Sequence, residues 1–274
     1  MAATANATGW MSNNPQPCCS LPRAIVRVAL MLAWLAFMFP IELVFWLLRW
    51  QRPRARIAQC FFAGMLRILG IRVTTLGKAS KLRPLMIVSN HASYLDVFII
   101  GAQLPLSFTP KREIRRWPVI GFLCVLADCI FVERRPAHME EAREEMGHRI
   151  REGRVLCLFP EGTTSDGKTL KPFKSGFLSL AQDFALPVQP ASLAYTHIGA
   201  APVRDDQREL VAWVGEETTF FGHFAKLLMM PGIRASLQWH TPLNLADFDD
   251  RKALTKASQE VVQAGVLALL EANA

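Results

Sequence analysis

Apolar and polar positions divide the chain into one long apolar run followed by short apolar runs that alternate with amphipathic stretches. The long run, Ala24 to Trp50, has the length of a bilayer-spanning helix. Pro40 interrupts it, Glu42 sets a charge beside the proline, and arginines flank both ends: Arg23 and Arg27, then Arg49, Arg52, Arg54 and Arg56. Basic residues on both sides favour a bent helical pair held in the cytoplasmic leaflet over a simple span. A signal peptide is disfavoured, since no small-x-small cleavage site follows. Residues 1–22 are expected to be a disordered tail, 23–56 a membrane-anchoring helical segment, and 57–274 a folded domain.

Within that domain, Ile57 to Leu69 has helical periodicity and stops at Gly70. Ile71 to Leu76 alternates as a strand should, and Pro84 to Val88 is a buried strand. Further strands are expected at Ser107–Thr109, Cys129–Val132, Val155–Phe159, Pro187–Leu193, Leu210–Val214 and Ile233–Trp239. Helices are expected at Val97–Leu104, Trp117–Leu126, His138–Glu152, Gly176–Phe184, Phe220–Met230 and Ala253–Leu270. The alternation predicts an α/β fold, a largely parallel central sheet flanked by helices. In His138–Glu152 the early acidic and late basic residues suit the helix dipole and describe a solvated face.

The chain carries 31 Lys+Arg against 23 Asp+Glu, a formal net charge of +8, with 51% hydrophobic residues. Basic and apolar together point to an anionic membrane as partner. Nucleic acid is set aside, since neither finger spacing nor an RNA-binding aromatic motif occurs. The six cysteines lack ligand spacing and read as core or tail thiols. No metal site is expected, because the histidines outside position 91 are scattered.

Candidate chemistry centres on Asn90-His91-Ala92-Ser93-Tyr94-Leu95-Asp96, a polar corner between a buried strand and a helix that Ser93 could cap. Asp96 can hold one imidazole nitrogen of His91 and leave the other as a base. No Gly-x-Ser-x-Gly elbow supplies a nucleophile, so the hydroxyl to be activated is expected on the substrate, with Ser93 expected as a cap or structural hydroxyl rather than a nucleophile. The pattern Asn-His-x-Ser-x-x-x-Asp resembles the catalytic block of the glycerolipid acyltransferases, a family that includes lysophosphatidic acid acyltransferase.

Three later stretches match that family in order. Phe131-Val132-Glu133-Arg134 resembles its Phe-x-x-Arg block, which implies that Arg134 binds an acceptor phosphate. Phe159-Pro160-Glu161-Gly162-Thr163 resembles its acceptor-binding block, and Pro172-Phe173-Lys174-Ser175-Gly176 its continuation. The resemblance implies substrate-binding roles for Asn90, Ser93, Arg134, Glu161, Gly162, Thr163 and Lys174, and catalytic roles for His91 and Asp96. Leu186-Pro187-Val188-Gln189-Pro190 resembles the family's proline-bearing strand. One departure counts: many phosphate-acceptor members have Arg where this chain has Thr164, and Thr-Thr-Ser-Asp-Gly looks like relatives that acylate lyso-ornithine lipid. Lys168, Lys171, Lys174 and Arg134 could compensate for the missing cation.

The resemblance implies a membrane-bound O-acyltransferase on the cytoplasmic face, by size that of a bacterial inner membrane. It would bind no cofactor and use acyl-CoA or acyl carrier protein as donor. The acceptor expected first is 1-acyl-glycerol-3-phosphate, giving phosphatidic acid, with lyso-ornithine lipid or another lysolipid as the alternative. A lipid esterase using the same pair with water, and a non-enzymatic protein that binds anionic membranes, are the competing classes.

Overall fold

The computed structural model describes residues 19–48, 50–117, 120–132, 136–214 and 219–273. Helix α1 (Leu21–Leu47) is followed by α2 (Gln51–Leu69), which ends on Gly70 in the left-handed region at φ 73°. Pro40 lies inside α1 without ending it. The proline forfeits one ladder hydrogen bond, and the chain reverses only after Leu48. The helical pair is therefore α1 against α2, not two halves of one run. Trp34 Nε1 donates to Phe61 O at 3.2 Å and Arg54 Nε to Glu42 at 2.7 Å, an antiparallel register. α1 exposes Ile25, Leu32, Phe37, Leu47 and other large apolar side chains. Among the described residues it is the one helix long and apolar enough to cross a membrane.

Several of the flanking arginines turn inward. Arg27 is buried, and its guanidinium donates to the carbonyls of Leu228 and Met230 at 2.9 Å each, where α7 (Phe220–Met229) ends. Arg23 donates to Met229 O at 2.8 Å. A guanidinium at a helix C-terminus meets unpaired carbonyls and the negative end of the dipole. Arg54 is also buried, between Glu42 and Asp128. These three cations seat the hairpin on the domain instead of facing lipid headgroups.

The sheet comprises β1 (Ile71–Leu76), β2 (Leu85–Ser89), β3 (Ser107–Phe108), β4 (Val155–Leu158), β5 (Val188–Ile198), β6 (Ala201–Pro202) and β7 (Ile233–Trp239), in the order β1-β7-β5-β2-β4-β3 with β6 on β5. Along that path every neighbouring pair is parallel except β5 with β7. β2 and β4 are buried along their whole length, which is why they read as continuous apolar runs rather than alternating ones. Around the sheet lie α3 (Leu95–Gly101), α4 (Ile120–Leu126), α5 (Pro136–Arg151), α6 (Ser179–Asp183) and α8 (Arg251–Glu271).

Three further expectations are corrected in the folded domain. Leu210 to Val214 is no strand: a 3-10 turn (Asp205–Leu210) runs into a bend, and the peptide groups of Trp213 are drawn elsewhere. Cys129–Val132 forms only a bridge, Val132 with Lys111, although Ile130 N donates to Phe108 O at 2.9 Å. The face of α5 is not wholly solvated, since Arg149 is buried against Asp128 and Glu145.

Candidate active site

β2 and β4 are parallel neighbours, so the loops leaving their carboxyl ends open on the same edge. The first loop carries His91 and the second begins at Phe159. His91 Nδ1 lies 2.9 Å from Asp96 Oδ2, and the His91 side chain keeps a fifth of its surface exposed while that of Asp96 is fully buried. The same oxygen of Asp96 accepts the backbone N–H groups of Ala92 at 2.8 Å and Ser93 at 3.0 Å. An oxygen that already accepts two backbone N–H groups suits the Nδ1–H as a third donor, the tautomer in which Nε2 would carry the lone pair. Among the described residues nothing pairs with Nε2. The Phe159 ring stacks on the imidazole at 4.1 Å, which restricts the ring to one plane.

The opposite oxygen, Asp96 Oδ1, accepts from the Tyr195 hydroxyl at 2.5 Å. Burial, then the Asp96 charge, pushes this phenol well above its usual range, so it remains a donor. Tyr195 was not among the site residues expected from the sequence. Its one signal was a hydroxyl-bearing aromatic in an otherwise buried strand, where an O–H must find a partner.

The expected substrate contacts divide into two groups. Asn90 is fully buried, and its amide is spent on β5: Nδ2 donates to Leu193 O and Oδ1 accepts Leu193 N, both at 2.9 Å. Ser93 is fully buried too, and it does not cap the helix, whose cap residue is Tyr94; its hydroxyl accepts weakly from Leu95 N at 3.4 Å. Glu161 points inward, accepting His91 N at 2.6 Å and Lys171 N at 2.8 Å. Burial raises its pKa above the usual carboxylate value, against the lowering effect of those hydrogen bonds. These three shape the corner from behind instead of lining a pocket. Gly162 sits at φ 72° and closes a turn onto Phe159 O, a conformation that a side chain would strain. Thr163 and Lys174 lie exposed on the same loop. Arg134 falls outside the described residues.

Thr164, buried, donates its hydroxyl to Trp213 O, while Trp213 N donates to Ala92 O at 2.8 Å. The segment that looked like a strand thus bridges the two loops. Lys168 pairs with Asp205 at 2.9 Å, and Lys171 Nζ donates to Thr164 O at 2.9 Å. Among the described residues, no cluster of three or more His, Cys, Asp or Glu could hold a metal.

A family model described as Acyltransferase matches residues 70–194, the stretch that contains both loops and the first part of β5, up to Ala194. The lyso-ornithine lipid O-acyltransferase of Brucella abortus is 32% identical over 88% of this chain and 93% of its own length. The chain is a member of the acyltransferase family. It is therefore an enzyme that transfers acyl groups. The lyso-ornithine lipid O-acyltransferase of Rhodobacter capsulatus is 33% identical, covering 73% of this chain and 71% of that one. The 1-acyl-sn-glycerol-3-phosphate acyltransferase of Neisseria gonorrhoeae is 28% identical, covering 66% and 69%. The crystal structure of the 1-acyl-sn-glycerophosphate acyltransferase of Thermotoga maritima shares the fold, with a TM-score of 0.64 at 22% identity over 90% of this chain and 97% of that one.

Proposed function

We propose that this acyltransferase moves a fatty acyl group from acyl-CoA or acyl carrier protein to the free hydroxyl of lyso-ornithine lipid, while held on a membrane by its apolar N-terminal helix. The observation that carries the mechanism is the Asp96–His91 pair, with Nδ1 engaged at 2.9 Å and Nε2 unpaired among the described residues. Nε2 takes the proton of the lipid hydroxyl as its oxygen bonds to the thioester carbonyl carbon. The tetrahedral intermediate collapses, the C–S bond breaks, and the imidazolium returns the proton to the departing thiolate. Asp96 keeps the tautomer and stabilises the imidazolium between the two steps. No acyl-enzyme is required, and the buried Ser93 is poorly placed to form one.

The choice of acceptor rests on charge. A phosphate monoester calls for cations in its pocket. Here position 164 is turned inward to the Trp213 carbonyl and offers the headgroup no cation, and Lys168 and Lys171 are engaged by Asp205 and the Thr164 carbonyl, which leaves Lys174 as the remaining exposed lysine of that loop among the described residues. The lyso-ornithine headgroup carries an ammonium and a carboxylate and no phosphate. The names of the Brucella and Rhodobacter relatives support the same choice.

The test supplies purified protein in lipid vesicles with a labelled acyl thioester and lyso-ornithine lipid, 1-acyl-glycerol-3-phosphate, or no acceptor. Diacylated ornithine lipid is the expected product, and His91→Ala should lose on the order of 10²–10⁴ in rate. Faster acylation of the phosphate acceptor would overturn the choice of substrate. Release of free fatty acid without acceptor would make the chain a hydrolase.

A further inference from the structure

We infer that Tyr195 is a positioning residue for acyl transfer, its hydroxyl bracing the far oxygen of Asp96 so that the near one stays aimed at His91. The inference rests on the base assignment of His91 above. Asp96 Oδ2 takes three N–H donors, from His91, Ala92 and Ser93. Oδ1 takes the Tyr195 hydroxyl at 2.5 Å. Two backbone amides fix one oxygen in place, and the phenol stops the carboxylate from turning about its Cβ–Cγ bond.

The strand is built to deliver that hydroxyl. Leu193, two residues earlier on the same face of β5, is clamped at both peptide groups by Asn90, the residue before His91. The β5–β7 pairing shifts register between Tyr195 and His197, so a bulge adjoins the tyrosine. Bulges commonly re-aim a side chain next to a site. Tyr195 is buried, so its O–H cannot exchange Asp96 for water.

Titratable groups reach this pair from several elements. His91 comes from the corner and Glu161 from the loop after β4. Cys157 lies on β4 and feels the Asp96 charge. Tyr94 precedes α3 and is bonded through its hydroxyl to His223 of α7 at 2.9 Å. Of these, His91 and Tyr195 hydrogen-bond to the Asp96 carboxylate.

Removing the phenolic oxygen leaves Oδ1 buried without a donor. More negative charge then falls on the side facing the imidazole, which holds its proton to higher pH. Tyr195→Phe should lower kcat about tenfold with KM for both substrates unchanged, and should move the acid limb of the kcat–pH profile up by roughly half a unit. A tyrosine that served packing alone would change thermal stability and leave that limb in place. The second readout uses the fact that the chain has only two tyrosines, Tyr94 and Tyr195. In a Tyr94→Phe background, 3-fluorotyrosine labels Tyr195 alone, and its ¹⁹F resonance should titrate along the acid limb and go flat when His91→Ala is added. An unmoved limb in Tyr195→Phe, or a flat resonance in protein whose activity still depends on His91, would overturn the inference. Retained transfer by His91→Ala would instead sink the base assignment beneath it.

Discussion

Glu161 Oε1 accepts the backbone N–H of His91 at 2.6 Å, so the loop after β4 holds the base by its main chain. The other oxygen holds Lys171 N at 2.8 Å, and both contacts need an acceptor. Glu161→Gln keeps the shape but turns an NH₂ toward one of those two donors. It should cost about 1–3 kcal/mol in urea unfolding and lower kcat by displacing His91. The variant should also change the pH dependence of stability. Burial holds the Glu161 carboxyl above its unfolded value, so the folded state binds the proton more tightly. Stability from this group is then present below the unfolded pKa and is lost as pH rises toward the folded one. Unfolding midpoints measured across that window should fall with pH in the parent and lose this component in Glu161→Gln.

Asn90 makes a different prediction, because its amide closes a two-way clamp on Leu193. Asn90→Ala leaves a buried N–H and a buried C=O unpaired between β2 and β5. The expected loss is about 3 kcal/mol, within what two orphaned backbone groups cost, seen as a lower denaturation midpoint. If Asn90 touched the acceptor, KM would rise at unchanged stability.

The contrast between these residues shows what was legible in the chain and what was not. His91 and Asp96 are local: a polar corner closing a wholly buried strand leaves few ways for the two side chains to miss each other. Tyr195 is 99 residues from Asp96, and only the register of β5 on β2 brings it there, which no pattern along the chain encodes. Leu210–Val214 has the composition of a strand, yet the peptide groups of Trp213 pair with Ala92 and Thr164 instead of a neighbouring strand. Pro40 invited a break in α1, but a single missing N–H costs a long helix less than a full reversal would. The arginines around the apolar run were legible as cations. That Arg27 and Arg54 are buried depends on partners far along the chain.

Asp128 is the centre of the ion cluster that ties the hairpin to the domain, facing Arg54, Arg149 and Arg154 from within the protein. Asp128→Asn isolates the effect of charge, since its φ of 58° is one that Asn tolerates as well as Asp. Arg54, Arg149 and Arg154 would then be left with Glu42, Glu145 and Glu152 respectively and without the carboxylate they share. Removing one partner of a buried ionic group costs about 3–5 kcal/mol, which calorimetry would register as a large drop in Tm. A drop of under a degree would mean that water already screens the cluster.

Thr164 separates two accounts of acceptor choice. If the position is an open headgroup contact, Thr164→Arg should install the missing cation and raise kcat/KM for 1-acyl-glycerol-3-phosphate. The structure gives it a different task, because its hydroxyl holds the Trp213 carbonyl while the Trp213 N–H holds Ala92, beside the base. With 7% of its surface exposed, the residue has no room for a guanidinium unless Trp213 gives way. Releasing Trp213 loosens the corner that carries His91, so Thr164→Arg should lower kcat/KM at least tenfold, equivalent to about 1.4 kcal/mol, on both acceptors alike. Thr164→Ser keeps the hydroxyl and should stay within a few-fold of the parent. The decisive quantity is the ratio of kcat/KM for the two lysolipids: unchanged by the arginine if Thr164 works through Trp213, shifted toward the phosphate if it meets the headgroup directly.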